Sequence, residues 1–302
     1  MPVAFLRQVK PAALAAGALL AGALLAGGAA SAQTAPSAAE NLSPGGIDSE
    51  HLFGFVEGSD LGVPGEVELE WETSGRIGRR LGRFLAVDSS LALKMPLTSD
   101  FRLAPGLTFN AYDIGAPART TGGFNGGFLE ARLRLLDRRT APLGLTLGMV
   151  PSYGSVDGVT GGPGRSYGTD LVLLADRELI PDRLVAALNA SLGFASTRAD
   201  GAAPAHGSGL EVAGALAYQV RPGLFLGGEA RYARAYGDLT LGRLAGEAAY
   251  LGPTLYASLS PRAWVSLAWN LQVAGREQGA PGALDLTNFD RHQVRLRVGY
   301  SF

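Results

Sequence analysis

From Glu66 to the last residue, apolar and polar positions alternate with a period of two, in segment after segment. In EVELEWET, Val67, Leu69 and Trp71 share one face, and Glu66, Glu68, Glu70 and Glu72 share the other. FLEARLRLL sets Leu129, Ala131, Leu133 and Leu135 against Phe128, Glu130, Arg132 and Arg134. AWVSLAWNLQV sets Val265, Leu267, Trp269, Leu271 and Val273 against Trp264, Ser266, Ala268, Asn270 and Gln272. The closing QVRLRVGYSF sets Val294, Leu296, Val298, Tyr300 and Phe302 against Gln293, Arg295, Arg297, Gly299 and Ser301. A helix would return every 3.6 residues, so this is the period of an extended strand with two unlike faces.

About twelve such segments are predicted, with cores at 65–74, 84–95, 101–112, 124–136, 143–152, 166–176, 183–195, 209–220, 224–234, 248–259, 263–274 and 291–302. Each has the length at which a tilted strand crosses a bilayer. The spacers alternate in length. Those at 75–83, 113–123, 153–165, 196–208, 235–247 and 275–290 are long, whereas PLTSD, DRRTAP, RPG and SPR are short, and DRELIPD (Asp176–Asp182) is the exception. A secreted β-sandwich would also alternate along its strands. It has no reason for alternating loop lengths or for a polar row of both charge signs in nearly every strand. The expected fold is therefore all-β: a transmembrane up-and-down antiparallel β-barrel of about twelve strands over residues 65–302. In hydrocarbon only a closed sheet pairs every backbone group of its strands. A lipid-facing Arg at midplane costs about 2–4 kcal/mol, which turns the charged rows inward.

Composition agrees. There are 43 Gly among 302 residues, and only 18% of residues are charged; interior Gly disfavours helices. Residues 1–32 read as a secretory signal peptide: Arg7 and Lys10 lead an Ala- and Leu-rich run that ends at Ala30-Ser31-Ala32. Its removal takes the net charge from −1 to −3, which gives no basis for a nucleic-acid partner. There is no Cys, hence no disulfide or thiol chemistry. Residues 33–64 lack the alternation and read as a flexible N-terminal segment, with HLFGFVEGSDLG (His51–Gly62) a plug, a periplasmic lip or an irregular first strand.

With the signal peptide, the meander and a final strand VRLRVGYSF ending on Phe302 with Tyr300 two before it, the chain resembles bacterial outer-membrane β-barrel proteins, porin- and transporter-like, with no subfamily singled out. The resemblance implies export through the general secretory pathway and a place among outer-membrane lipids. It also implies that Tyr300 and Phe302 form the signal read by the barrel-assembly machinery. The oligomeric state is left open.

For chemistry, Arg132, Arg134, Arg231, Arg295 and Arg297 face inward by phase, as do Glu130, Glu211 and Glu229. One reading pairs these ions across neighbouring strands. The other is an arginine ladder that steers small anionic solutes. Closure sets the first strand beside the last, so Glu68 and Glu70 are expected near Arg295 and Arg297. The function expected is passive diffusion of small polar or anionic solutes through an Arg/Glu-lined lumen. Two alternatives stand beside it: a structural barrel that does not conduct, and a lipid hydrolase built on His206 and Ser208. The hydrolase lacks its third partner, since Val220 stands about a dozen residues on and no Asn follows until Asn270; its cluster is also expected in a loop. His51 and His292 look isolated, without metal-ligand spacing. No catalytic residue, metal site or cofactor is expected.

Overall fold

A computed structural model describes residues 47–79, 82–115 and 119–302. The expected signal peptide, and residues 33–46 of the expected linker, lie outside the described residues. Twelve antiparallel strands follow one another: β1 (Glu68–Ile77), β2 (Phe84–Pro96), β3 (Phe101–Ile114), β4 (Arg119–Leu136), β5 (Gly144–Val156), β6 (Pro163–Ile180), β7 (Leu184–Ala199), β8 (Ala205–Arg221), β9 (Leu224–Tyr236), β10 (Leu244–Ser260), β11 (Ala263–Glu277) and β12 (His292–Ser301). Each strand pairs with its neighbours in sequence, and β12 closes on β1 with Glu68 opposite Ser301 and Ile77 opposite His292. Closure leaves no strand edge unpaired.

The faces follow the alternation. On β11, Trp264, Ser266, Ala268, Asn270 and Gln272 are buried inside, whereas Leu267, Trp269 and Val273 are exposed outside. On β4, Arg132 is buried while Leu129, Leu133 and Leu135 stand outside. The outer apolar surface is the lipid-facing band such a barrel requires.

Two expectations change. Several strands run further than their apolar pattern: β7 reaches Ala199 and β8 starts at Ala205, so the expected loop 196–208 shrinks to 200–204. Likewise β6 continues to Ile180, which leaves 181–183 as the turn where DRELIPD was expected. The contrast between long and short connections is thereby reduced, and 278–291 is the one extended connection among the described residues. Outside the bilayer both faces of a strand meet water, so backbone pairing continues after the side-chain alternation has ended. The eighteen residues of β6 reach about 60 Å end to end, well beyond the hydrocarbon thickness once tilt is allowed for.

We call the end holding Glu68 and Ser301 the turn end, and the other the loop end.

Candidate functional site

The lumen is where the polar rows converge, and residues 47–62 lie inside it. Ile47, Leu52, Phe53 and Val56 are buried in one cluster with Val185 and Ala187 of β7, Ala213, Ala215 and Ala217 of β8, and Phe225 of β9. The inward alanines of β7 and β8 form a shallow trough, and the apolar side chains of the segment fill it. Two glycines permit this fit. A Cβ on Gly54 would overlap Ala268 and Glu229 on the wall, and one on Gly58 would overlap the backbone of Ser49 within the segment itself.

Polar groups fix the segment in register. Glu229 accepts hydrogen bonds from the amides of Phe55 (2.9 Å) and Val56 (3.1 Å). Asn189 accepts from the Glu57 amide at 2.7 Å and donates to the Glu57 carbonyl at 2.8 Å. Asp176 accepts from the Ser59 amide at 2.6 Å and from the Ser49 hydroxyl, and Thr146 donates to the Ser59 carbonyl at 2.6 Å. These partners stand on β5, β6, β7 and β9, one arc of the wall; the ion pairs reach the rest of the ring.

Charges complete the contact. Glu50 binds Lys94 at 2.6 Å and also Arg102; Arg102 binds Glu130 at 2.7 Å. Arg132 binds Glu130 at 2.7 Å and Glu57 of the segment. Arg295 joins Glu57 (3.3 Å), Glu72 and the carbonyl of Gly54 (3.1 Å). Arg297 pairs with Glu70 at 2.8 Å, and Lys94 reaches the same carboxylate at 2.7 Å. Asp60 meets Arg138 at 2.6 Å and Arg134 at 3.9 Å. All but Arg295, which stands near the middle of β12, lie in the turn-end half.

The loop end is closed differently. Residues 278–291 fold inward, burying Asp285 and Asp290. Gln272 of β11 donates to the Asp285 carbonyl at 3.0 Å and accepts from its amide at 2.8 Å. The Tyr250 hydroxyl donates to the Asp290 carbonyl at 2.8 Å. Between the two ends, Arg231 holds Glu211 through two bonds (2.9 and 2.8 Å) and Gln293 at 2.7 Å, and its guanidinium lies 4.3 Å from the centre of the Phe55 ring.

The eight residues read from the sequence as lumen-facing thus stand as follows. Arg132, Arg231, Arg295 and Arg297 each hold a glutamate. Arg134 holds Asp60 and, at 3.4 Å, Asp137. Glu130 and Glu211 are arginine partners, whereas Glu229 serves backbone amides of the segment. The expected facing of β1 and β12 is shifted by one inward position: Arg297 takes Glu70, Arg295 takes Glu72, and Glu68 goes elsewhere. Cross-strand pairs also form on the diagonal, which sequence alone does not fix.

Sequence reasoning missed Glu50, Glu57, Asp60 and Arg102, and passed over Lys94. One signal was available: Lys94 is the lone lysine after residue 10. His51 is not isolated. Its ring stacks on Trp264 at 3.9 Å, and its Nε2 lies 3.2 Å from Glu68. Glu50, His51 and Glu68 bring ligand atoms within 4.8 Å of one another, but the Lys94 ammonium sits 2.6 Å from Glu50 and 3.3 Å from Glu68, where it already supplies the cation.

His206 and Ser208 lie within β8 rather than in a loop. The Ser208 hydroxyl donates to the Asp238 carbonyl at 2.6 Å, so its proton is held by a backbone oxygen. Tyr300 and Phe302 lie at the turn end with rings 5.2 Å apart, and the Phe302 amide donates to the Val67 carbonyl at 2.9 Å.

The closed sheet, its apolar exterior and its charged, occupied lumen define a membrane-spanning twelve-stranded β-barrel of the outer-membrane type. The chain belongs to the family described as "Family of unknown function (DUF6662)", whose family model matches residues 46–302. No curated protein matches the sequence. Among solved structures it is similar to the COG4313 outer membrane channel from Pseudomonas putida F1, with 14% identity, a TM-score of 0.58, and coverage of 81% of this chain and 98% of that one. It also aligns with the NanC porin (12% identity, TM-score 0.46, 77% of this chain and 98% of that one). The KdgM porin aligns at 14% identity with a TM-score of 0.46, covering 78% of this chain and 99% of that one. At such identities the likeness is one of fold.

Proposed function

We propose that the protein is an outer-membrane channel for passive diffusion of small polar solutes, with residues 47–62 acting as a plug that sets its bore. The observation that supports this most directly is that the segment is held from opposite sides of the lumen: its amides bond Glu229 of β9 and Asn189 of β7, and its carboxylates pair with Arg102 of β3 and Arg132 of β4. The ion pairing also refines the solute class. Each arginine of the expected ladder is already matched by a carboxylate, which favours small polar solutes over an anion-selective path.

Conductance in planar bilayers tests this reading. The intact protein should conduct weakly, with an anion-to-cation ratio near unity. Deleting residues 47–62 should raise single-channel conductance several-fold. Gly54→Leu, which the wall at Ala268 and Glu229 cannot accommodate, should act in the same direction. Absence of conductance from both the intact and the deleted forms would overturn the channel reading.

A further inference from the structure

The lipid-facing surface carries one arrangement that neither the barrel nor the lumen explains. In the register of β6 and β7, Arg165 stands directly opposite Arg198. Both are exposed. Both point outward, because the alternation that places Leu171 and Leu173 of β6, and Leu188 of β7, on the exposed outer face reaches them without a register shift. Like charges directly opposite on one face of a sheet repel. Neither arginine has an ion-pair or side-chain hydrogen-bond partner among the described residues, and Asp200, two positions beyond Arg198, pairs with neither.

The outward-facing Arg234 of β9 differs. It has a carboxylate, Glu247, at 3.4 Å and the Tyr232 hydroxyl at 2.8 Å. The sequence thus supplies a counter-charge to one outward arginine and withholds it from an opposed pair.

Depth along the barrel says what meets that pair. Leu171 and Leu173 lie in the apolar band. Next toward the loop end come Tyr153 and Tyr167, opposite one another with rings 5.3 Å apart. Arg165 follows two residues beyond Tyr167, about 6.6 Å further out. Leucine, then a tyrosine pair, then arginine is the order of hydrocarbon, interface and headgroup. On the adjacent β8, His206 lies opposite Ser196, the outward position next to Arg198, and is exposed. Two guanidinium groups offer planar pairs of donors suited to phosphate oxygens, and the imidazole adds a third donor.

We propose that Arg165, Arg198 and His206 form a binding site for the phosphate of a lipid headgroup in the leaflet at the loop end. The bound phosphate would neutralise the opposed arginines and give His206 a role unrelated to hydrolysis. The site rests on the outer-membrane placement proposed above but not on conduction.

The test is retention of lipid by the full-length protein in detergent, read by native mass spectrometry. The probes are phosphorylated lipid A, its dephosphorylated form and inorganic phosphate. The phosphorylated lipid should be retained, and Arg165→Gln with Arg198→Gln should weaken retention about tenfold, as expected for loss of charge-assisted hydrogen bonds. Arg234→Gln should leave it unchanged. Equal retention by the double variant, or of the dephosphorylated lipid, would overturn the proposal. Inorganic phosphate competing as well as the lipid would overturn a headgroup as the source. The single substitutions, expected to fold because both side chains are exposed, give intermediate losses if the site exists and none if it does not. A barrel that conducts but retains no phosphorylated lipid would refute this site alone.

Discussion

At the turn end, residues 47–62 meet the barrel wall through a web of carboxylates, guanidinium groups and one ammonium, while at the loop end residues 278–291 meet it chiefly through amides, a phenol and backbone carbonyls, with a single carboxylate, Asp290, paired to Arg79 at 2.6 Å and Arg76 at 4.0 Å. Both insertions bury their polar groups. The difference lies in what happens when one partner is lost. A buried ion left unmatched is far more costly than a buried amide that loses one hydrogen bond. Apart from Asp290, the turn end is therefore the brittle closure and the loop end the forgiving one.

Glu50→Gln should break the turn end most. Glu50 is buried and serves both Lys94 and Arg102. Its removal should cost about 3 kcal/mol of docking, the low end for a broken buried pair, because Glu70 still holds Lys94 and Glu130 still holds Arg102. Protease cleavage within residues 47–62 should become fast while the barrel stays folded. Unchanged cleavage would mean that the apolar trough, not the charges, holds the segment. Gln272→Leu should loosen the loop end alone, at about 1–3 kcal/mol for each Asp285 backbone group that water does not then reach. Hydrogen exchange across 278–291 should accelerate without change at 47–62. Coupled changes at both ends would dissolve the distinction.

The barrel itself was legible because the bilayer imposes a rule on every strand: apolar outward, polar inward. That rule sets twelve segments and the facing of Arg132, Arg231, Arg295 and Arg297. It ceases to act beyond the hydrocarbon, which is why the ends of β6, β7 and β8 were misplaced. It says nothing about residues 47–62, whose backbone meets side chains rather than another strand and so shows no period. Glu57 and Glu50 became visible only once the barrel had brought strands distant in sequence to a common axis. The alanines at 187, 213, 215 and 217 face the lumen. Their small size is explained only by the leucine, phenylalanine and valine seated on them.

The smallest effect should be a pH dependence confined to the turn end. Burial disfavours the charged His51 ring, but the carboxylates of Glu68 and Glu50 outweigh this and raise its pKa above the ordinary 6.5. A group whose pKa rises on docking stabilises the docked form through its protonated state. That contribution is complete below 6.5, the value in the released segment, and is lost as pH climbs through the higher docked value. Protection of residues 47–62 from protease should therefore decline on the alkaline side of 6.5, and modestly, because Lys94 holds the same carboxylates at every pH in that range. His51→Gln should flatten the dependence. The loop-end contact between Gln272 and the Asp285 backbone contains no titrating group, so exchange at 278–291, corrected for its intrinsic pH dependence, should be level across the same window. Protection of 47–62 that instead grew with rising pH would mean that His51 docks as the neutral ring, held by its stacking on Trp264 rather than by charge.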